Sequence, residues 1–158
     1  MRETTKRAGF TLLEIMMVVL VIGLLAAIAL PALQRARQKT MVVKCANDLK
    51  VFGAAFDLYA MERRGYPPDC EMEEPWHLPN VEMEGYLDKN KWKATTSLGG
   101  NFNWEGKDAY PYAGISLFNV TAPVSVLRML DETIDDGNLT TGRFRQTSNG
   151  RYTSIIDE

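Results

Sequence analysis

The sequence predicts an α+β protein in which a long N-terminal helix packs against a small antiparallel sheet of three to five short strands. Two observations support this prediction. Apolar side chains recur at spacings of three and four residues between Val42 and Ala60, which indicates a helix with one buried face. Short aromatic or β-branched runs, separated by turn residues, follow over residues 92–156, and a sheet built from them would cover that face.

The first half of the predicted helix has the length and composition of a membrane span. The 19 residues from Ile15 to Leu33 carry no charge, and about 20 apolar residues cross a bilayer as a helix. A polar leader, residues 1–9, precedes the span and contains three basic side chains. Glu14 lies at the start of the apolar stretch. Acidic side chains in membrane helices are costly, so Glu14 indicates a function.

Two simpler interpretations of this region remain open. A secretory signal peptide cut after Ala29 would use the small-residue pattern Ala27-Ile28-Ala29, although its apolar core is normally only about 7 to 15 residues long. A plain membrane anchor explains the length of the span, with Glu14 reaching the interface as an exposed side chain. A plain anchor gives no reason for an acidic residue at that position.

Residues 9–14, Gly-Phe-Thr-Leu-Leu-Glu, resemble the processing site of type IV pilins and type II secretion pseudopilins. The resemblance implies that a prepilin peptidase cuts between Gly9 and Phe10, and that Phe10 becomes an N-methylated terminus. Gly23 and Pro31 match the glycine and proline that weaken the helix in this family. The resemblance is close over residues 6–65, and beyond them it extends only to the general pilin-like layout.

Assembly follows from the same resemblance, because Glu14 of one subunit can meet the Phe10 amine of its neighbour. Paired charges in a low-dielectric setting offset much of each other's desolvation cost. The implied partners are other pilin-like subunits in a homo- or heteropolymer, the prepilin peptidase and methyltransferase, an inner-membrane assembly platform and membrane lipid. No nucleic-acid partner is expected.

The resemblance also orders the chain into three parts. Residues 1–9 form the leader, residues 10–33 form the transmembrane and assembly half of the helix, and residues 34–158 form an extracytoplasmic pilin-like domain. Basic residues are nearly balanced on the two sides of the span, so charge alone does not orient it. In the family the leader is cytoplasmic, which places the domain outside the inner membrane, with the filament in the periplasm or at the cell surface.

Charge is distributed unevenly along the chain. Residues 34–64 carry seven basic and three acidic side chains, whereas residues 65–158 carry eight basic and fifteen acidic ones. A basic stretch beside a span is typical of an anchor on anionic lipid, and it also suits packing against acidic neighbours in a polymer. Both interpretations remain open.

The pattern predicts a helix from Thr11 to Arg64 that ends at Gly65 and Pro67-Pro68. Pro31 should kink it or loosen one turn. Strands are predicted at Trp92–Ala94 and Asn101–Trp104 around a Gly99-Gly100 turn, and at Tyr112–Phe118. A helix is predicted at Val124–Ile134 and a hairpin at residues 142–147 and 151–156. The sheet residues expected to face Leu49, Phe52 and Phe56 are Phe102, Trp104, Ile115, Leu117, Phe144, Tyr152 and either Ile155 or Ile156.

Cys45 and Cys70 would lie in an oxidising compartment, which favours a disulfide. A helix continuous to Arg64 carries the chain about 28 Å away from Cys45. The six steps from Arg64 to Cys70 return at most about 22 Å. The geometry therefore favours unpaired cysteines.

No catalytic set is apparent, and the single histidine, His77, lies in a proline-rich stretch. We therefore expect a protein that is not an enzyme. One acidic group, Asp131, Asp135, Asp136 and Asn138, offers hard oxygen ligands near a glycine, which suits Ca²⁺. Major pseudopilins resemble it in having a calcium site in their C-terminal loops. A solvated acidic turn without a metal is the other interpretation, and apart from this ion no cofactor is expected.

These observations together predict the precursor of a pilin-like filament subunit. A type II secretion pseudopilus is favoured over a type IV pilus, because the chain is compact and lacks an evident paired C-terminal disulfide loop. A membrane-tethered extracytoplasmic binding module that never polymerises is the main alternative, and an anchored enzyme is a weaker one. Glu14 distinguishes the filament subunit from a tether, because a tether has no use for it.

Overall fold

The computed structural model describes residues 10–70, 83, 85–147 and 150–158. Gly9, at the predicted cleavage site, and the single histidine, His77, lie outside the described residues. The chain divides into two compact units, Met1–Arg37 and Gln38–Glu158. The elements in chain order are α1 (Leu12–Arg63), α2 (Lys89–Lys93), β1 (Asn101–Glu105), β2 (Ala113–Phe118), α3 (Val124–Ile134), β3 (Phe144–Gln146) and β4 (Tyr152–Asp157).

The α+β prediction is confirmed. The four strands form one antiparallel sheet in the order β1-β2-β4-β3, so the last strand in the chain lies between β2 and β3. Helix α3 has the predicted bounds, and the terminal hairpin is present as the β3–β4 pair. Helix α1 begins and ends within one residue of the prediction and is uninterrupted at Gly23 and Pro31.

The buried face of α1 does not include all the apolar residues that recur at helical spacing between Val42 and Ala60. Ala46, Gly53 and Ala60 are only half-buried. The residues buried on this helix are Val42, Cys45, Leu49, Phe52, Ala55, Phe56 and Tyr59. The sheet therefore packs on the side that carries the large rings, because large rings bury more apolar area than alanine or glycine.

Aromatic contacts join α1 to the sheet. The Phe56 ring stacks on Trp104 with centroids 3.8 Å apart, and Phe52 meets the edge of Phe102 at 4.9 Å. Trp104, in turn, donates its indole N–H to the Pro67 carbonyl at 3.0 Å. The predicted sheet residues Phe102, Trp104, Ile115, Leu117, Phe144 and Ile155 are all buried, while Tyr152 and Ile156 are partly buried against the same core.

The predicted strand at Trp92–Ala94 is wrong. Asp88 caps a short helix instead, because its carboxylate accepts the amides of Asn90 and Lys91 at 2.9 and 3.2 Å. Trp92 on that helix is buried and meets Phe52 at 5.1 Å. The Gly99-Gly100 turn exists, but it connects α2 to β1. Both glycines have positive φ, and a Cβ on Gly100 would lie 2.1 Å from the Phe118 carbonyl oxygen.

The expectation of unpaired cysteines is confirmed, since Cys45 and Cys70 are both free and buried. Burial is the largest cause that raises the pKa of each thiol, in both cases to about 12. Thiols with such pKa values are almost wholly protonated at neutral pH, and the thiol form is a poor nucleophile.

A buried ion pair ties the first strand to the last. The Glu105 carboxylate is fully enclosed and accepts hydrogen bonds from the Tyr112 and Thr153 hydroxyls, each at 3.0 Å. The Arg151 guanidinium lies 3.5 Å from its other oxygen. A buried carboxylate needs such partners, so β1, β2 and β4 depend on one another at this point.

Candidate assembly and metal sites

Helix α1 begins with a reciprocal pair of hydrogen bonds between Thr11 and Glu14. The Thr11 amide and hydroxyl both donate to Oε2 of Glu14, at 2.8 and 2.9 Å. The Glu14 amide donates back to the Thr11 hydroxyl oxygen at 3.2 Å. This is a capping box, in which the side chains of the first residues satisfy amides that have no partner within the helix.

The capping box uses only one of the two Glu14 carboxylate oxygens. No hydrogen bond to Oε1 is found among the described residues, and Phe10 is 83% exposed just before the box. The carboxylate can therefore hold its own helix start and still accept a proton donor from another chain. The Thr-x-x-Glu spacing at residues 11–14 is the sequence signal of a capping box, which the resemblance to the processing site did not predict.

The two predicted helix-weakening residues lie within an exposed apolar stretch of α1. A Cβ on Gly23 would meet nothing within 4 Å, so packing inside one chain does not require glycine there. The large apolar side chains from Leu12 to Leu33 are all at least about half exposed. Among the described residues, α1 is the single helix long and apolar enough to cross a membrane, with a window of mean hydropathy 2.8.

Three of the four predicted metal ligands come together at the end of α3. Carboxylate oxygens of Asp131, Asp135 and Asp136 lie within 4.8 Å of one another. Asp131 is completely buried, and neither of its oxygens accepts a hydrogen bond of normal geometry from the described residues. A buried acceptor without a partner is uncommon in folded proteins, since leaving it unsatisfied is costly. The Gly137 amide is near enough to lower the pKa of Asp131, but no positive side chain pairs with this carboxylate among the described residues, so it fits a cation as its partner.

The other members of the cluster are held by the loop after α3. Oδ2 of Asp135 accepts the amides of Arg143 and Phe144, the second at 3.0 Å. Asp136 accepts the Asn138 amide and the Thr141 hydroxyl, each at 2.8 Å. The side-chain oxygen of Asn138 accepts two hydrogen bonds from Thr140, so Asn138 would have to release Thr140 to become a ligand.

The pKa values of the buried Asp131 and the exposed Asp136 are shifted in opposite directions. Burial is the main cause that raises the pKa of Asp131 to about 6, and the nearby Asp136 and Asp135 charges add to the effect. Hydrogen bonds from Asn138 and Thr141 instead lower the pKa of Asp136 below its usual range. A bound cation would oppose the Asp131 shift, because its positive charge favours the ionised carboxylate.

Comparison with known proteins adds evidence on the N-terminal region. The model of the prokaryotic N-terminal methylation motif matches residues 4–30, which include the junction and the capping box. No solved structure gave a significant match.

Three similar proteins are each named type II secretion system core protein G. The Escherichia coli K12 protein is 36% identical over 95 residues, which span 55% of this chain and 66% of the relative. The Pseudomonas aeruginosa protein is 33% identical over 55% of this chain and 67% of its own length. The Dickeya chrysanthemi protein is 34% identical over 59% and 68%. The matches thus span about two thirds of each relative, and the chain belongs to the type II secretion core protein G family of pseudopilins.

Proposed function

We propose that this chain is the precursor of a pseudopilin subunit that is cut between Gly9 and Phe10, methylated on Phe10 and assembled into a secretion pseudopilus. The observation that carries the proposal is the Glu14 carboxylate oxygen that the capping box leaves without a hydrogen bond among the described residues, at the start of an exposed apolar helix. An acidic residue at that position is costly for a simple anchor. A polymer gives it a use, because the neighbour's new amine needs a counter-charge.

The role is structural, and the partners follow from it. Residues 1–9 serve as the leader that a prepilin peptidase and methyltransferase recognise. Residues 10–33 cross the inner membrane in lipid before assembly, with Gly23 and Pro31 available to loosen the helix, and they enter the polymer at an assembly platform. Residues 34–158 form the domain outside that membrane, in the periplasm. The apolar exposure of α1 supports this division, because such a face requires lipid or neighbouring helices.

The processing proposal predicts a mature protein that begins with N-methyl-Phe10. Intact-mass and N-terminal peptide analysis of membranes should show loss of Met1 to Gly9 and a gain of one methyl group. A bulky substitution, Gly9→Leu, should leave the leader attached, because the peptidase site must accommodate the residue before the cut. A mature start at Leu30 would show instead that Ala27-Ile28-Ala29 is a signal-peptidase site.

We also propose that Asp131, Asp135 and Asp136 bind calcium, with Asn138 as a further ligand if it exchanges its bond to Thr140. The support is the buried Asp131 carboxylate, which has no positively charged partner among the described residues and lies beside two other acids. Three carboxylates are hard oxygen donors, which Ca²⁺ prefers. An ion bound there would hold the end of α3 against the loop that leads to β3.

The pH dependence of stability tests this site. Without calcium, the raised Asp131 pKa means that the folded state binds a proton more tightly than the unfolded chain. The contribution of Asp131 to the free energy of unfolding is therefore largest below pH about 4, and it is lost as the pH rises through about 6. In a truncated chain beginning at Arg35, Asp131→Asn should remove this part of the dependence. Calcium at pH 7.5 should raise the Tm of the native sequence and leave that of Asp131→Asn unchanged. Equal calcium shifts in both would contradict the proposal.

A further inference from the structure

Two arginines follow the apolar stretch of α1 directly. The uncharged run of 19 residues, 15–33, is as long as a helix needs to cross the hydrocarbon core of a bilayer, which is about 30 Å thick. Arg35 and Arg37 lie about 3 and 6 Å of helical rise beyond Leu33. The headgroup layer on each side of the core is about 5 to 7 Å thick. When α1 spans a membrane, both arginines therefore lie at the level of the lipid headgroups.

The positive charge of these two arginines is not compensated by the described part of the chain. Both side chains are exposed, and neither has an ion-pair partner among the described residues. The sequence has no acidic residue between Glu14 and Asp48. Helical side chains tilt toward the N-terminus of their helix, so both arginines lean back toward the span. An anionic group at the membrane surface would supply the missing negative charge.

The two arginines lie on opposite sides of the helix. Successive helical residues are about 100° apart, so Arg35 and Arg37 are separated by about 200° around the axis. A neighbouring protein covers one side of a helix, whereas lipid surrounds all sides of it. The arrangement therefore favours lipid over an acidic protein partner. A guanidinium group also matches the geometry of a phosphate, to which it can donate two hydrogen bonds at once.

Removal of the leader would leave this pair as the first basic side chains of the chain. The basic residues that precede the span all belong to the leader, and residues 10–34 contain no lysine or arginine. Basic residues usually accumulate on the cytoplasmic side of a span. Under the proposed orientation, Arg35 and Arg37 instead lie on the outer side. Their position therefore needs a reason other than the orientation of the span.

We infer that Arg35 and Arg37 bind the phosphate groups of anionic phospholipids in the outer leaflet of the inner membrane. The contact anchors the outer end of the span at the headgroups while the subunit is in the membrane. The choice of leaflet rests on the proposed function, whereas the contact with anionic lipid rests on the position, exposure and charge of the two arginines.

Photo-crosslinking to lipid tests this contact in the full chain. The protein is reconstituted into vesicles of phosphatidylethanolamine with about 30% anionic phosphatidylglycerol. A photoreactive residue replaces Gln34, which is exposed beside the pair, and mass spectrometry identifies the lipid adducts. The ratio of phosphatidylglycerol to phosphatidylethanolamine adducts should exceed the ratio in the vesicles by about fivefold or more, which is the usual effect of one basic residue at an anionic surface. Sodium chloride at about 1 M should reduce this excess, because it screens exposed charges.

Substitutions of the two arginines give the second measurement. Arg35→Gln combined with Arg37→Gln should remove most of the excess of phosphatidylglycerol adducts. Arg35→Lys combined with Arg37→Lys should keep most of it, because lysine binds phosphate as a point charge. Arg128→Gln is the matched control, since Arg128 is exposed on α3 and is far from the span in sequence. It should leave the adduct ratio unchanged.

Several outcomes would overturn the lipid contact. One is an adduct ratio in the native sequence equal to that of the vesicles. Another is a product at Gln34 that joins two copies of the chain in place of lipid, which would indicate an acidic neighbour. An Arg128→Gln effect as large as that of the double substitution would show that total charge is responsible. Loss of the excess in inorganic phosphate at matched ionic strength would indicate a site for free phosphate.

The filament function is measured separately, by ladders of crosslinked subunits in cell membranes. Ladders together with a vesicle-like adduct ratio would overturn the lipid contact alone. An excess of phosphatidylglycerol adducts without ladders would support the lipid contact and contradict the filament function.

Discussion

Replacing Glu14 with glutamine is expected to abolish polymer formation while leaving membrane insertion and leader removal intact. Glutamine keeps the reciprocal hydrogen bonds of the capping box, since either Glu or Gln serves at that position. It removes the charge that the neighbouring Phe10 amine requires. That amine would be left in an apolar helix bundle without a counter-charge, which is strongly unfavourable. Insertion should improve slightly, because the span becomes more apolar.

The expected loss of polymer is large because the same contact is lost at every subunit. A hydrogen bond to a charged group contributes about 1.5 to 3 kcal/mol, and one such contact would be lost at every subunit. Even the lower value reduces the equilibrium constant of each association step by about tenfold. The ladder of crosslinked oligomers should therefore lose its longer members. Chemical crosslinking of membranes, resolved by mass, measures the ladder length directly.

Three variants separate charge from capping. Thr11→Ala removes the hydroxyl from the box and keeps the charge, so it should shorten ladders only slightly. Glu14→Asp keeps the charge on a shorter side chain, and Glu14→Ala loses both charge and cap. Ladders of native length in the Glu14→Gln variant would show that Glu14 serves its own helix alone, and would favour the membrane-tethered binding module.

Replacing Phe56 with alanine is expected to lower the free energy of unfolding of the domain by about 3 to 5 kcal/mol, because the cavity left in a packed core adds to the lost burial. Phe56 is fully buried and stacks on Trp104. Leu49→Ala should cost about 2 to 5 kcal/mol for the same reason. Denaturant melts of a soluble chain beginning at Arg35 give the measurement.

The control lies on the other side of the same helix. Leu58 is about half exposed, so Leu58→Ala should change the unfolding free energy by no more than about 0.5 kcal/mol. If Phe56→Ala and Leu49→Ala each cost less than about 1 kcal/mol, the buried face of α1 would not be the core of this domain in solution.

Elements with a strong local signal could be predicted from the sequence. The α3 bounds follow from its apolar spacing between a proline and an aspartate–glycine turn, and the uncharged run and the helical stripe together predict α1. The prediction that Leu49, Phe52 and Phe56 face the sheet is confirmed, since all three are buried on α1. Spacing did not show that Ala46, Gly53 and Ala60 would be only half-buried. The sheet selects the flank with Phe52 and Tyr59, and that choice depends on tertiary packing.

The residues of the candidate sites also divide into those that local sequence can predict and those that depend on tertiary packing. The junction and the role of Glu14 were predicted from the resemblance of residues 9–14 to the pilin family, whereas the gathering of Asp131, Asp135 and Asp136 could be predicted because they are close in sequence. Burial of Asp131 depends on how α3 packs, and the partner of Asn138 depends on the backbone of its own turn. The predicted strand Trp92–Ala94 is too short for its periodicity to distinguish a strand from a helix. The Asp88 cap starts a helix there instead.

The position of β4 within the sheet sets the moment at which this domain can fold. This strand is the last in the chain, yet it pairs with both β2 and β3 and brings Thr153 to the enclosed Glu105 carboxylate. Among the described strands, β3 pairs with β4 alone. Under the proposed orientation the C-terminus crosses the membrane last, so the sheet would stay incomplete until residue 157 has crossed. A chain that ends before β4 would leave the edges of β2 and β3 unpaired and open to aggregation.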